Sequence, residues 1–195
     1  AIFAGLVFAK NSLDPKHGAL RQKALSKYTE ISNKLLFFSI EVTKLDEVVL
    51  DRLIKDSLLS EYKHYLENLR NFKPHLLSEA EEKILNDKDL TGATAFVRLY
   101  DQEFAAKNFK VKIGKKIQTL SESKTLSLLY SIDRESRKAG AKALTQGLKE
   151  ESKRITFISN VLMEDKNIND RYRKFKTPES ARHLDNEISE ETVKI

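Results

Sequence analysis

The residues best suited to chemistry are the histidines, His17, His64, His75 and His183. A hydrolytic zinc helix needs two histidines one turn apart with a glutamate beside the first, H-E-x-x-H. That spacing puts both imidazoles on one face and leaves the carboxylate as general base. None of the four histidines begins such a pattern. They read as surface or helix-end histidines. His64 could share a helix face with Glu61 or Glu67, but one imidazole and one carboxylate fall short of the three or four ligands zinc takes. Cysteine is absent, which excludes a thiol nucleophile, a thiolate metal site and a disulfide, and suits a reducing compartment. Ile113-Gly-Lys-Lys116 lacks the frame of a phosphate loop, and no G-x-S-x-G elbow occurs. Adjacent carboxylates (Glu81-Glu82, Glu150-Glu151, Glu190-Glu191) point apart on a helix and read as solvated faces. On these residues the expected catalytic, cofactor-binding and metal sites within this chain are none.

Charge adds little. The 195 residues carry 35 Lys and Arg against 29 Asp and Glu, a net charge of +6. That permits an anionic partner without demanding one. Lys107, Lys110, Lys112, Lys115 and Lys116 follow one another with no acid between Glu103 and Glu122. They read as the solvated face of a strand pair, where lysines also discourage edge-to-edge pairing. Nucleic-acid binding would ask for interleaved exposed aromatics or a recognisable module, so no nucleic-acid partner is expected. Arg171-Tyr-Arg-Lys-Phe-Lys176 reads as a helix end whose cations complement the dipole. The apolar start, Ala1–Ala9, is too short to cross a bilayer and has no charged leading region. No membrane partner is expected, and the localisation expected is cytoplasmic.

The elements are mostly helical. Asp14-Pro15 opens a helix running to about Thr43, with Leu20, Ala24, Tyr28, Ile31, Leu35, Phe38 and Val42 on one face. Asp46 and Ser57 open shorter helices, the second ending before Pro74. Ser78 and Glu81 form a capping box. Thr91-Gly92 breaks the chain before a helix from Ala93 to Phe104. Phe109–Ile113 and Ile117–Leu120, each taken as alternating apolar and polar residues and joined at Gly114-Lys115, read as a hairpin, and Ser121 caps a short helix. Asp133 caps a single long helix reaching about Asn169, with Leu144, Leu148, Ile155, Ile158 and Leu162 on one face. Gly140 and Gly147 near that face would admit a second helix closely. A short helix from Pro178 to about His183 follows, and Ser189 opens another. The expected fold class is all-α, a mainly helical array, with one small β-hairpin near 109–120. Both ends look cut, so the chain reads as a piece of a longer protein.

Three stretches carry a resemblance: EYKHYLENLRNFKPHLLSEAEEKILNDKDLTGATAFVRLYD (Glu61–Asp101), TLSESKTLSLLYSIDRESRKAGAKALTQGLKE (Thr119–Glu150) and FISNVLMEDKNINDRYRKFKTPESARHLDNEIS (Phe157–Ser189). With them the chain resembles the N-terminal region of the oligoendopeptidase F family, zinc metallopeptidases related to thimet oligopeptidase. The resemblance implies a parent enzyme that hydrolyses peptide bonds of short peptides. Its zinc ligands and H-E-x-x-H helix lie later in the chain, so no residue here inherits a catalytic or metal role. It implies that residues 1–183 are an N-terminal helical domain forming one wall of the peptide channel, and that 184–195 begin the zinc catalytic domain. The implied partners are that catalytic domain and short peptides, with self-association through exposed apolar surface. The competing expectation is a free-standing truncated relative that acts as a helical peptide- or protein-binding module.

Overall fold

Short-range capping sets several of the element boundaries. In the computed structural model, which describes residues 1–194, α1 spans Ile2–Lys10 and α2 spans Pro15–Lys44. Asp14 Oδ1 accepts the Lys16 N–H at 2.8 Å, and Pro15, with no N–H to leave unpaired, takes the first helical position. Helix α3 (Glu47–Lys55) leads into a 3-10 segment, Ser57–Tyr62, and α4 (Lys63–Phe72). The cap at that segment is Asp56 rather than Ser57; its carboxylate accepts the Leu58 N–H at 2.9 Å. Helix α5 (Glu79–Asp89) starts at a complete capping box: Ser78 Oγ accepts the Glu81 N–H, and Glu81 accepts the Ser78 N–H at 2.9 Å. Helix α6 (Ala93–Ala106) follows Gly92, and β1 (Asn108–Ile113) pairs antiparallel with β2 (Lys116–Ser121). Then come α7 (Glu122–Ser127), α8 (Arg134–Glu150), α9 (Ser152–Tyr172), α10 (Ser180–Asp185) and α11 (Glu190–Lys194). The fold is all-α with one small hairpin.

The described residues form two compact units. One joins Ala1–Leu25 to Thr91–Met163; the other joins Ser26–Leu90 to the described residues from Glu164 onward. The chain passes between them inside α2, between Leu90 and Thr91, and inside α9.

In the first unit α8 lies on the hairpin. Phe109 (2% exposed), Val111 (0%) and Ala143 form the buried cluster, with Leu120, Leu128 and Leu144 around it. Gly147 makes this possible. A Cβ there would lie 2.7 Å from Phe109 Cδ1 and closer still to Cε1. At Gly140 it would lie 2.9 Å from Leu128 Cβ. Close approach was expected of both glycines, but the partner at Gly147 is a strand side chain and not a second helix. Gly114 turns the hairpin at φ +58, while Lys115 stays at negative φ; glycine first in a two-residue loop is the type II′ pattern. Ile117 departs from expectation. It pairs with Lys112, on the lysine face, and is 68% exposed. Ile117 and Leu120 are three residues apart, so a period of two sends them to opposite faces.

The long helix expected from Asp133 to about Asn169 is two helices. Asp133 caps as expected, accepting the Glu135 and Ser136 N–H groups. The break is at Glu151, φ −95 and ψ 6, with no glycine or proline to signal it. The cause is tertiary. Lys107 Nζ lies 3.4 Å from Glu150 and 3.2 Å from Glu151. Adjacent residues of a regular helix do not face one partner, so holding both carboxylates on one ammonium fits the loss of helical geometry there.

In the second unit Leu50, Ile54 and Leu66 form the core, with Val42, Leu53 and Leu59 packed against it. The stripe expected to bury α2 is largely open here. Tyr28, Ile31, Leu35 and Phe38 are exposed, and Ile40 and Thr43 are the residues buried near the helix end. Helix α2 meets this core through its last turns only. The short helix after Pro178 begins at Ser180.

Candidate functional site

The four histidines do not gather into one cluster. His17 Nδ1 lies 3.0 Å from the Asn11 carbonyl. His64 Nε2 lies 3.0 Å from Glu187 Oε1, and Asn68 Nδ2 donates to the same oxygen at 2.8 Å. The partner of His64 is therefore Glu187, far along the chain, and not Glu61 or Glu67; Glu67 faces Lys63 at 3.9 Å. Glu187 stands at φ 54. The Ile188 N–H reaches His183 O at 3.0 Å and the Glu187 N–H reaches Leu184 O at 3.1 Å, a Schellman closure of α10 made without glycine. His183 lines the same cavity as His64, of about 290 Å³. Among the described residues no three His, Cys, Asp or Glu side chains are grouped to hold a metal. The zinc that the resemblance implies does not fit the residues present, and no residue of this chain is assigned to it.

The most elaborate polar constellation in the second unit is one the sequence did not announce. Arg173 donates to Glu82 through both terminal nitrogens, Nη1 at 2.7 Å and Nη2 at 2.8 Å. Glu82 is 5% exposed, and its Oε1 also accepts the Leu77 N–H at 3.1 Å. Burial pushes the Glu82 carboxyl up. The Arg173 hydrogen bonds and charge, with the Leu77 N–H, outweigh it and hold the group below the ordinary carboxylate range. The same bonds raise Arg173. Arg173 Nη1 also donates to the His75 carbonyl at 3.2 Å, His75 Nδ1 lies 2.7 Å from the Arg173 carbonyl, and the His75 ring stacks on Phe175 at 3.9 Å. Lys174, between them, takes φ 59 and closes α9 in a second Schellman turn, with the Phe175 N–H on Asp170 O at 2.9 Å. Two expectations are corrected. Glu82 is a buried, paired carboxylate and not a solvated one, and Arg173 is an internal clamp rather than a dipole-complementing cation. Both residues are arranged to hold structure, since both Glu82 oxygens and both terminal nitrogens of Arg173 face protein partners.

Lys107 is corrected too. Its side chain is 15% exposed, spent on Glu150 and Glu151 with the ammonium 6.0 Å from the Phe109 ring centre. Lys110 and Lys112 keep the exposed hairpin face expected of them; Lys115 lies in the turn, and Lys116, opposite Ile113, is exposed on the other face.

Concave apolar surface lies in the second unit. Phe38, Val42, Leu53, Leu59, Tyr62 and Tyr65 line a groove of about 460 Å³ beside the Leu50–Ile54–Leu66 core. Such a wall suits apolar side chains of a chain laid across it, with the tyrosine hydroxyls available at hydrogen-bonding positions.

Comparison with known proteins agrees with the residues that carry the resemblance. The sequence model of the family described as Oligopeptidase F, in its M3 peptidase N-terminal region, matches residues 41–109. An oligopeptidase PepF of Bacillus subtilis (strain 168) is 26% identical over 177 residues, covering 88% of this chain and 26% of the relative. The chain thus spans about a quarter of the length of that curated relative. The crystal structure of oligoendopeptidase-F from Enterococcus faecium shares the fold, with a TM-score of 0.80, 21% identity, 97% of this chain covered and 38% of that one. Over these residues the chain is similar to the N-terminal region of the oligopeptidase F family.

Proposed function

We propose that this chain is the non-catalytic N-terminal helical part of a zinc-dependent oligoendopeptidase F-like metallopeptidase and forms one wall of its peptide channel. In that reading residues 1–183 are the helical domain, residues 184–195 lead into a zinc catalytic domain, and the whole enzyme hydrolyses short peptides in the cytoplasm. The observation that carries it is the alignment with the Bacillus subtilis oligopeptidase, which takes in 88% of this chain but 26% of the relative. The apolar groove supports a wall role, because a peptide in extended form offers side chains to such a surface while its backbone polar groups stay solvated or paired. In that reading the reaction belongs to the rest of the enzyme.

The test is a pair of assays on an internally quenched peptide. The chain by itself, supplied with zinc, is expected to show no turnover; turnover abolished by a chelator would overturn the reading. In an enzyme that joins this chain to a catalytic domain of the family, Tyr65→Ala is expected to raise KM for an apolar peptide several-fold with kcat little changed. An unchanged KM there would remove the groove from the channel wall.

A further inference from the structure

A second cavity, of about 330 Å³, lies wholly within the first unit, between α1, the start of α2, the end of α6 and the start of α7. Its apolar lining includes Phe8 and Phe104, both almost fully buried. Its polar lining is Ser12, Arg21, Tyr100, Asp101 and Glu122. Arg21 is already engaged: its guanidinium lies 4.5 Å above the Phe8 ring and 3.4 Å from Asp101. That pair is neutral as a unit. Glu122 is different. It is partly buried, and among the described residues no cation or hydrogen-bond donor is paired with its carboxylate. It opens α7, where a carboxylate suits the first turn, but that accounts for its helix position and not for its facing an aromatic-lined cavity. Burial raises the Tyr100 hydroxyl's pKa, and the Glu122 and Asp101 charges raise it further, which places both carboxylates near that hydroxyl.

The cavity therefore combines aromatic walls, one neutralised ion pair and one unneutralised carboxylate. A neutral or anionic guest would leave Glu122 partly buried and unpaired. A cation on an apolar body would pair with Glu122, accept company from the Tyr100 oxygen and ring, and lay its hydrocarbon along Ala9 and Ala105. We propose that this cavity binds an organic ammonium carried on an apolar chain, whether the amino terminus of a peptide or a lysine side chain. The inference stands apart from the peptidase reading, since none of its residues lines the groove of the second unit.

The probe is n-butylammonium, titrated into the full chain and followed by amide chemical shifts, with n-butanol and butyrate as controls. Saturable shifts near Phe8, Tyr100 and Glu122 with the ammonium alone are expected. An equal response to all three compounds, or none to any, overturns the proposal. Glu122→Gln is expected to weaken binding by about tenfold, the value of one charge-assisted bond. Arg21→Leu, which removes the competing positive charge, is expected to tighten it. A fold defect would weaken both variants, so opposite signs are the diagnostic; weakening in both, or unchanged affinity in Glu122→Gln, overturns the proposal. Leucinamide and N-acetyllysinamide then separate the two sources. Competition by either supports the site and names its guest, and competition by neither overturns it.

Discussion

The Arg173–Glu82 pair joins residues 91 positions apart, and its energetics are those of a buried ion pair. Removing one partner of a fully buried pair costs about 3–5 kcal/mol; Arg173 is 25% exposed, so losing Glu82 should fall at or below the lower end of that range. Glu82→Gln is expected to lose stability of about that size in urea denaturation, while the double change Glu82→Leu with Arg173→Met is expected to recover much of it. A fully additive double variant would refute the coupling. The pH sign follows from the depressed Glu82 carboxyl. Its folded pKa lies below the ordinary 4.5, so its stabilisation is complete above about that pH and is lost as the pH falls through the folded value. Acid unfolding curves of Glu82→Gln should be flatter than the parent's below pH 4.5; identical slopes would assign the acid sensitivity to other carboxylates. Gly147 gives an independent residue-scale prediction. Alanine gains about 1 kcal/mol of helix propensity, but its methyl would meet the buried Phe109 ring, an overpacking cost of roughly 1–3 kcal/mol or more. Gly147→Ala should therefore destabilise the chain on balance, and a raised midpoint in thermal unfolding would show that the ring yields. None of the Glu82 network could be read in the sequence. The two ends are remote, and an E-E dipeptide on a helix looks the same whether its second member meets water or arginine.

At the scale of elements, what was legible was local. Ser78-x-x-Glu81, Asp14-Pro15, Ser121 and Asp133 each act on backbone N–H groups within a few residues, so their chemistry is written where the helix starts. The hairpin was legible through β1, whose burial alternates as Phe109 and Val111 require, but β2 was misread because Ile117 and Leu120 do not share a face. The break at Glu151 was not legible, because its partner, Lys107, comes from the loop before β1. That assigns Lys107 a testable role. Its ion pairs are half open to solvent on the glutamate side, so Lys107→Met should cost no more than about 1 kcal/mol. Its conformational effect should be larger than its energetic one: the Glu151 carbon shifts should move toward regular helix as α8 and α9 join. Unchanged shifts at Glu151 would mean that packing elsewhere fixes the break.

For the whole molecule, apolar surface is the informative quantity. In the second unit α2 leaves Tyr28, Ile31, Leu35, Phe37 and Phe38 exposed, and the groove of about 460 Å³ adjoins Phe38. An amphipathic stripe usually signals the face that a helix turns to its own core, and the periodicity of α2 was read that way. Periodicity reports that a face is to be covered but carries no information on which part of a protein covers it. Here the unit's own core, at Leu50, Ile54 and Leu66, takes only the end of the helix. Contiguous exposed apolar surface of this kind promotes association in water. The chain in isolation is therefore expected to self-associate with rising concentration in sedimentation velocity. Leu35→Lys with Phe38→Lys is expected to abolish that association while leaving the helical circular dichroism unchanged. Joining the chain to a catalytic domain of the oligopeptidase F family should suppress the association without either substitution, if that domain is what covers α2. A joined protein that still associates through the same residues would place the α2 stripe on the outside of the enzyme and move its role from internal packing to contact between molecules.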